Sequence, residues 1–186
     1  MNPRLQTLDL LERQIHSRGV EERYLAAEAL GQRLRGTRKA PPWLVKSLGK
    51  DRSSVVRASI AESLGYIEDR TSRGALVRCL SDASPIVRAY AAGALGRIGG
   101  RNSGRALTRS KQSERSARAR VGLAEGLLWL GDSVGLEMLR RLLRSKQYRV
   151  RCATANALVS VPLTASGTKV ALEILSGALE SETTLA

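Results

Sequence analysis

Phenylalanine is absent from this 186-residue chain, and two Trp and four Tyr are its whole aromatic complement. A core without Phe must be filled by Leu, Ala, Val and Ile, which suits closely spaced helices. Histidine occurs once, as His16, and cysteine twice, as Cys79 and Cys152, far apart and without metal-ligand spacing. Zinc sites and histidine acid–base chemistry therefore have no residues to build on, and neither a metal nor a cofactor is expected. Both cysteines fall in apolar helical patterns and read as small buried hydrophobes, in keeping with a reducing, cytoplasmic setting. No apolar run approaches the roughly 18 residues of a membrane span, so no membrane insertion is expected. The opening stretch MNPRLQTLDLLERQ is interrupted by Arg4, Asp9 and Glu12 and does not read as a signal peptide.

Acidic residues are also scarce. Seventeen Asp and Glu stand against 31 Lys and Arg, for a net charge of +14. Such a balance points to anionic partners, either an acidic protein or nucleic acid. Arginine supplies most of it, 25 residues against six lysines.

What the chain does have is a repeat. The segment RAYAAGALGRIG, from Arg88, is echoed by RASIAESLGYIE from Arg57, RVGLAEGLLWLG from Arg120 and RCATANALVSVP from Arg151, at intervals of 31 or 32 residues. A divergent copy, RYLAAEALGQRL, starts at Arg23. Aligned, the five copies carry Ala at the fifth position (Ala27, Ala61, Ala92, Ala124, Ala155) and Leu at the eighth (Leu30, Leu64, Leu95, Leu127, Leu158). Spacing of three to four residues puts these on one helical face, the small residue permitting close approach and the Leu filling the groove beside it. A shorter apolar stretch precedes each copy, predicting helical hairpins with first helices over Leu5–Ser17, Pro42–Leu48, Arg73–Leu80, Gly104–Ser110 and Val134–Arg144. The pair Ser84–Pro85 predicts one second-helix start, with Ser as cap and Pro at the first helical position. A final helix from about Lys169 to Leu179 would cap the stack, residues 1–180 would form one domain, and 181–186 would be a disordered tail.

An acidic residue recurs six positions before the leading arginine, as Asp51, Asp82 and Glu114, and is replaced by Ser145 in the fifth copy. A short acidic turn followed by an arginine in the next helix resembles the HEAT repeat, especially its short bacterial phycobilisome-lyase-type form, and SDASPIVRAYAAGALGRIGG (81–100) carries the resemblance best. The resemblance implies an all-α fold: an α-solenoid of about five helical-hairpin repeats plus a C-terminal capping helix. It also implies a structural ladder along the stack, built here from Asp51, Arg57, Asp82, Arg88, Glu114, Arg120 and Arg151.

In such a stack the third, sixth and tenth positions of each second helix are expected to face the concave side. They gather Tyr66, Tyr90, Arg97, Glu125 and Trp129 into one patch with the composition of a protein-binding hot spot. The remaining cations cluster in turns: between Arg97 and Arg151 fourteen basic residues face four acidic ones. Lys50, Arg52, Arg109, Lys111, Arg115, Arg118, Arg144, Lys146 and Arg149 are expected to line one basic edge. Two functions follow. One is a non-enzymatic scaffold that holds a protein partner, acidic in character, by the concave patch and the edge. The alternative is a nucleic-acid binder gripping phosphates along the edge. Catalysis has less to stand on. Alkylpurine DNA glycosylases, built of similar helical repeats, carry a catalytic Asp in their groove, but no Asp falls in the concave columns here, and no chromophore- or thiol-transfer site of a bilin lyase is present.

Overall fold

In the computed structural model, which describes residues 7–161 and Ser176, ten α-helices follow one another with no strand among the described residues. They pair into hairpins: α1 (Leu8–Ile15) with α2 (Val20–Arg33), α3 (Pro42–Leu48) with α4 (Ser54–Ile67), α5 (Arg73–Cys79) with α6 (Pro85–Ile98), α7 (Arg101–Ser113) with α8 (Ala117–Trp129), and α9 (Val134–Leu142) with α10 (Tyr148–Ser160). The even-numbered helices are the repeated segments, and each begins three residues before its leading arginine. Ser84 stands at the N-cap of α6 with Pro85 at its first position, though the Ser84 side chain makes no capping bond. The expected capping helix, the 1–180 domain limit and the disordered tail involve residues outside those described.

The repeat columns explain the packing. Ala27, Ala61, Ala92 and Ala124 are fully buried, and all five leucines of the eighth column are buried. Ala155 is the exception, only half-buried on the last described helix. The ninth column adds a device that brings the even helices unusually close: Gly31, Gly65 and Gly96 each face a small residue of the next even helix. A Cβ on Gly96 would lie 2.5 Å from Gly126 Cα. Only glycine allows that approach.

The fourth repeat breaks the pattern. Its ninth-column residue is Leu128, and α8 packs less closely on α10 than on α6. The core divides at the same place. One buried cluster runs from Leu11 to Leu127, while a second, formed by Val121, Ala124, Leu139, Leu143, Val150, Ala157 and Leu158, joins the fifth repeat to α8.

Candidate functional site

Two surfaces carry chemistry, and both arise from the repeat. The first is the turn edge, where the acidic residues and leading arginines lie. Arg23 donates from Nε to Asp51 at 2.6 Å, Arg57 from Nη2 to Asp82 at 2.8 Å, and Arg88 from Nε to Glu114 at 2.7 Å. In each rung Nε and Nη2 together grip both carboxylate oxygens, a bidentate, charge-assisted geometry. Nη1 of the same guanidinium donates to the carbonyl six residues back: Ser17, Asp51 and Asp82 respectively. The carboxylate in turn accepts the backbone N–H two residues on, from Ser53, Ser84 or Ser116. Each acid thus caps its own turn while tying the preceding repeat to it. Hydrogen bonds from Arg88 hold Glu114 below the usual carboxylate range despite the opposing effect of burial. Burial pushes Asp82 up, but bonds from Arg57 and the Ser84 N–H bring it below its ordinary value.

Arg120 departs from the expected set. Among the described residues Arg120 meets no carboxylate; its Nε donates instead to the Glu114 carbonyl at 3.0 Å. Arg151 bonds the Ser145 carbonyl at 3.0 Å and lies over the Tyr148 ring. For Arg120 the cause is chemical: residue 145, which would carry the fourth acid, is Ser.

The second surface is a concave cleft of about 240 Å³ opening where α8 and α10 separate. Its walls include Glu62, Tyr66, Tyr90, Arg97, Arg118 and Glu125. Arg97 is the organising group. It donates to Glu125 Oε1 at 2.8 Å and lies between two rings, 5.0 Å from the centroid of Tyr66 and 5.3 Å from that of Trp129. With side-chain exposures of 14% and 18%, the Arg97–Glu125 pair is part of the wall and not a projecting contact. Arg35 also lies over the Tyr66 ring, 4.1 Å from its centroid, a second cation–π contact. The Tyr66 hydroxyl donates to Glu62 at 3.1 Å. Burial pushes the Glu62 carboxyl up, opposed by that hydrogen bond and by Arg97, and burial likewise raises the Tyr90 phenol.

Of the five residues expected in the patch, four line the cleft: Tyr66, Tyr90, Arg97 and Glu125. Trp129 does not. It backs Arg97 with its indole Nε1 buried, so its N–H is not presented to the cleft. The third column contributes Tyr90, Gly122 and Ala153 to the cleft wall, but not Leu25 or Ser59. Ser59 and Gly122 are buried against the preceding even helix, where a Cβ on Gly122 would strike the Ala89 carbonyl. Tyr90 alone of that column carries an aromatic ring into the cleft.

The edge cations divide as well. Lys50, Arg52, Arg109, Arg115, Arg144, Lys146 and Arg149 are exposed, Lys111 is half-exposed, and none forms a salt bridge among the described residues. Arg118 leaves the edge for the cleft, its guanidinium lying 5.8 Å from the Tyr90 centroid. Sequence reasoning also missed Arg35, which sits beyond α2 in a stretch without periodicity. No group of His, Cys, Asp and Glu able to hold a metal occurs among the described residues. None of the described helices is long and apolar enough to cross a membrane.

Comparisons with known proteins agree with this architecture. Residues 41–128 match the family described as HEAT repeats. No curated protein matches the sequence. Among solved structures the chain is similar to one in the complex of CpcE and CpcF of phycocyanin lyase from Nostoc sp. PCC7120, at 21% identity and TM-score 0.62, covering 95% of this chain and 73% of that one. It is also similar to an engineered protein from the Northeast Structural Genomics Consortium, at 20% identity and TM-score 0.50, covering 95% of this chain and 89% of that one. At such identities the likeness speaks for fold alone, and repeat solenoids of this kind are typically non-enzymatic scaffolds compatible with protein binding. Residues 41–128 thus resemble HEAT repeats in sequence, and the described residues form a helical solenoid of hairpin repeats.

Proposed function

We propose that the protein is a non-enzymatic scaffold, working in the cytoplasm, that holds an acidic protein partner against the concave cleft and the basic edge. The observation that carries this reading is the cleft. Its volume of about 240 Å³ is below the roughly 300–1,000 Å³ of small-molecule pockets, but suits one or two side chains of a docked chain. Its walls are aromatic and arginine-rich, the side chains that dominate binding energy in protein interfaces. Within the cleft, Arg97 and Arg118 offset Glu62 and Glu125, so the wall itself favours neither sign. The preference for an acidic partner comes from the edge, whose exposed cations steer association from a distance.

A second reading rests on the same edge: seven exposed cations without salt bridges could track a phosphate backbone. Co-purification from the native host, with and without nuclease, separates the two. The scaffold reading expects a stoichiometric protein that survives nuclease and is lost from a Tyr66→Ala, Tyr90→Ala variant. Nuclease-sensitive material, retained by that variant and lost when Arg115, Arg144, Lys146 and Arg149 become Ser, would establish the nucleic-acid reading in its place.

A further inference from the structure

The three complete rungs define what an arginine at this register binds. In each, Nε and Nη2 take both oxygens of a carboxylate while Nη1 takes a turn carbonyl, and the acid is Asp twice and Glu once. Arg120 occupies the same register one repeat on, but its fork is turned: Nε, the atom that holds the acid elsewhere, is on the Glu114 carbonyl, and the side chain is exposed. By the spacing of the other rungs the missing acid belongs at residue 145. Ser145 keeps half of that role, since its Oγ accepts the Gln147 N–H at 3.2 Å, as the acids accept the Ser53, Ser84 and Ser116 N–H groups. The other half, the counter-charge to Arg120, is not supplied from within the described chain.

The surroundings favour an anion arriving from outside. Arg115, Arg144, Lys146 and Arg149 are exposed in the turns on either side, and none has a salt-bridge partner among the described residues. We infer that the fourth rung is a docking subsite in which a carboxylate side chain of the partner completes the ladder on Arg120. This deepens the proposed scaffold function and rests on it: the subsite turns general attraction to an acidic partner into a fixed register on the edge. The ligand is a carboxylate because the neighbouring rungs are built to hold that group in two-pronged geometry.

The test uses the whole chain and a fluorescein-labelled hexaglutamate peptide. Ser145→Asp places the acid within the protein, closing the rung and blocking the subsite. It should raise the melting temperature by about 2 °C, the worth of one exposed ion pair in a chain of this size. It should also weaken peptide binding about fivefold, as should Arg120→Gln. Gln112→Glu, which adds the same charge at an exposed position of α7, should change binding less than twofold. If Ser145→Asp raises stability but leaves hexaglutamate affinity equal to that of Gln112→Glu, the rung closes without being a docking site, and the inference is overturned. An unchanged melting temperature would overturn the register itself. Hexathymidylate binding more tightly than hexaglutamate, with the same dependence on residue 145, would replace carboxylate by phosphate. Failure of the subsite remains distinguishable from failure of the scaffold reading. In the first case Tyr66→Ala, Tyr90→Ala still abolishes capture of the partner, and in the second it does not.

Discussion

Arg88 touches two repeats at once, and that explains why a single surface-edge arginine should matter for stability. Its Nη1 holds the Asp82 carbonyl of its own turn, while Nε and Nη2 hold Glu114 of the next, with side-chain exposures of 19% and 9% across the pair. Removing it strands a largely buried carboxylate as well as the carbonyl. Arg88→Ala should therefore cost about 2 kcal/mol, in the range for hydrogen bonds to charged groups. Arg109→Ala, at an exposed position without an ion pair, should stay within about 0.5 kcal/mol. Urea unfolding of the two variants checks the contrast. The same rung sets a pH dependence. Arg88 lowers the folded-state pKa of Glu114 beneath its ordinary value of 4.5. Its contribution is thus complete above that value and is lost as pH falls through it toward the lower folded pKa. The stability of the protein should fall between pH 5 and pH 3, and Glu114→Gln should flatten that part of the curve. A variant with the unaltered slope would show that the rung does not titrate with folding.

Among the helices, closeness is set by glycines, those of the ninth column together with Gly122 and Gly126 between α6 and α8. Glycine at 31, 65 and 96 lets α2, α4, α6 and α8 approach until backbone meets backbone, and Leu128 ends the series before α10. Gly96→Ala should destabilise by about 1–3 kcal/mol, the cost of overpacking a site with no room to relax. The looser seam beyond α8, the second core cluster and the absent rung all fall between the fourth and fifth repeats. Amide hydrogens of α10 should consequently exchange faster than those of α6, which is held by close seams on both sides. Hydrogen-exchange mass spectrometry reads this directly, and equal protection would remove the distinction between the two seams. Much of this level was legible in the sequence, because a helix period repeated five times fixes which residues turn inward. The fifth and eighth columns gave the core, and the acid six residues before each arginine gave three rungs. The third column was legible in part: Tyr90, Gly122 and Ala153 reach the cleft wall, while Ser59 is buried against the preceding even helix. Arg118 was expected in the turn ahead of the repeated segment. With the helix starting at Ala117, residues 118, 122, 125 and 129 share one face, and Arg118 joins the cleft. Arg35 gave no signal, as its contact with Tyr66 crosses from one repeat to the next outside any period.

Over the whole molecule, the solenoid displays two faces of different character along one short stack. The cleft is walled by a self-neutralising set in which Arg97 and Glu125 pair and aromatic rings flank the guanidinium. The edge is an uncompensated run of cations ending at a rung without its acid. Such a division suits recognition in two steps, with charge guiding the encounter and the cleft setting residence time. Removing edge cations should then slow association, most of all at low salt, whereas changes in the cleft should speed dissociation. Trp129→Ala should act on both stability and binding, because the ring supports Arg97 from behind instead of meeting a partner itself. The central claim is that a protein chain sits in the cleft, and site-specific photo-crosslinking tests it most directly. A benzophenone amino acid placed at Asn156, on the cleft wall, should crosslink in host lysate to one protein after nuclease treatment, and Tyr90→Ala should abolish the product. The same probe at exposed Arg105 on α7 should give no such product. Equal products from both positions, or none from Asn156 while the Arg105 probe still crosslinks, would contradict the account.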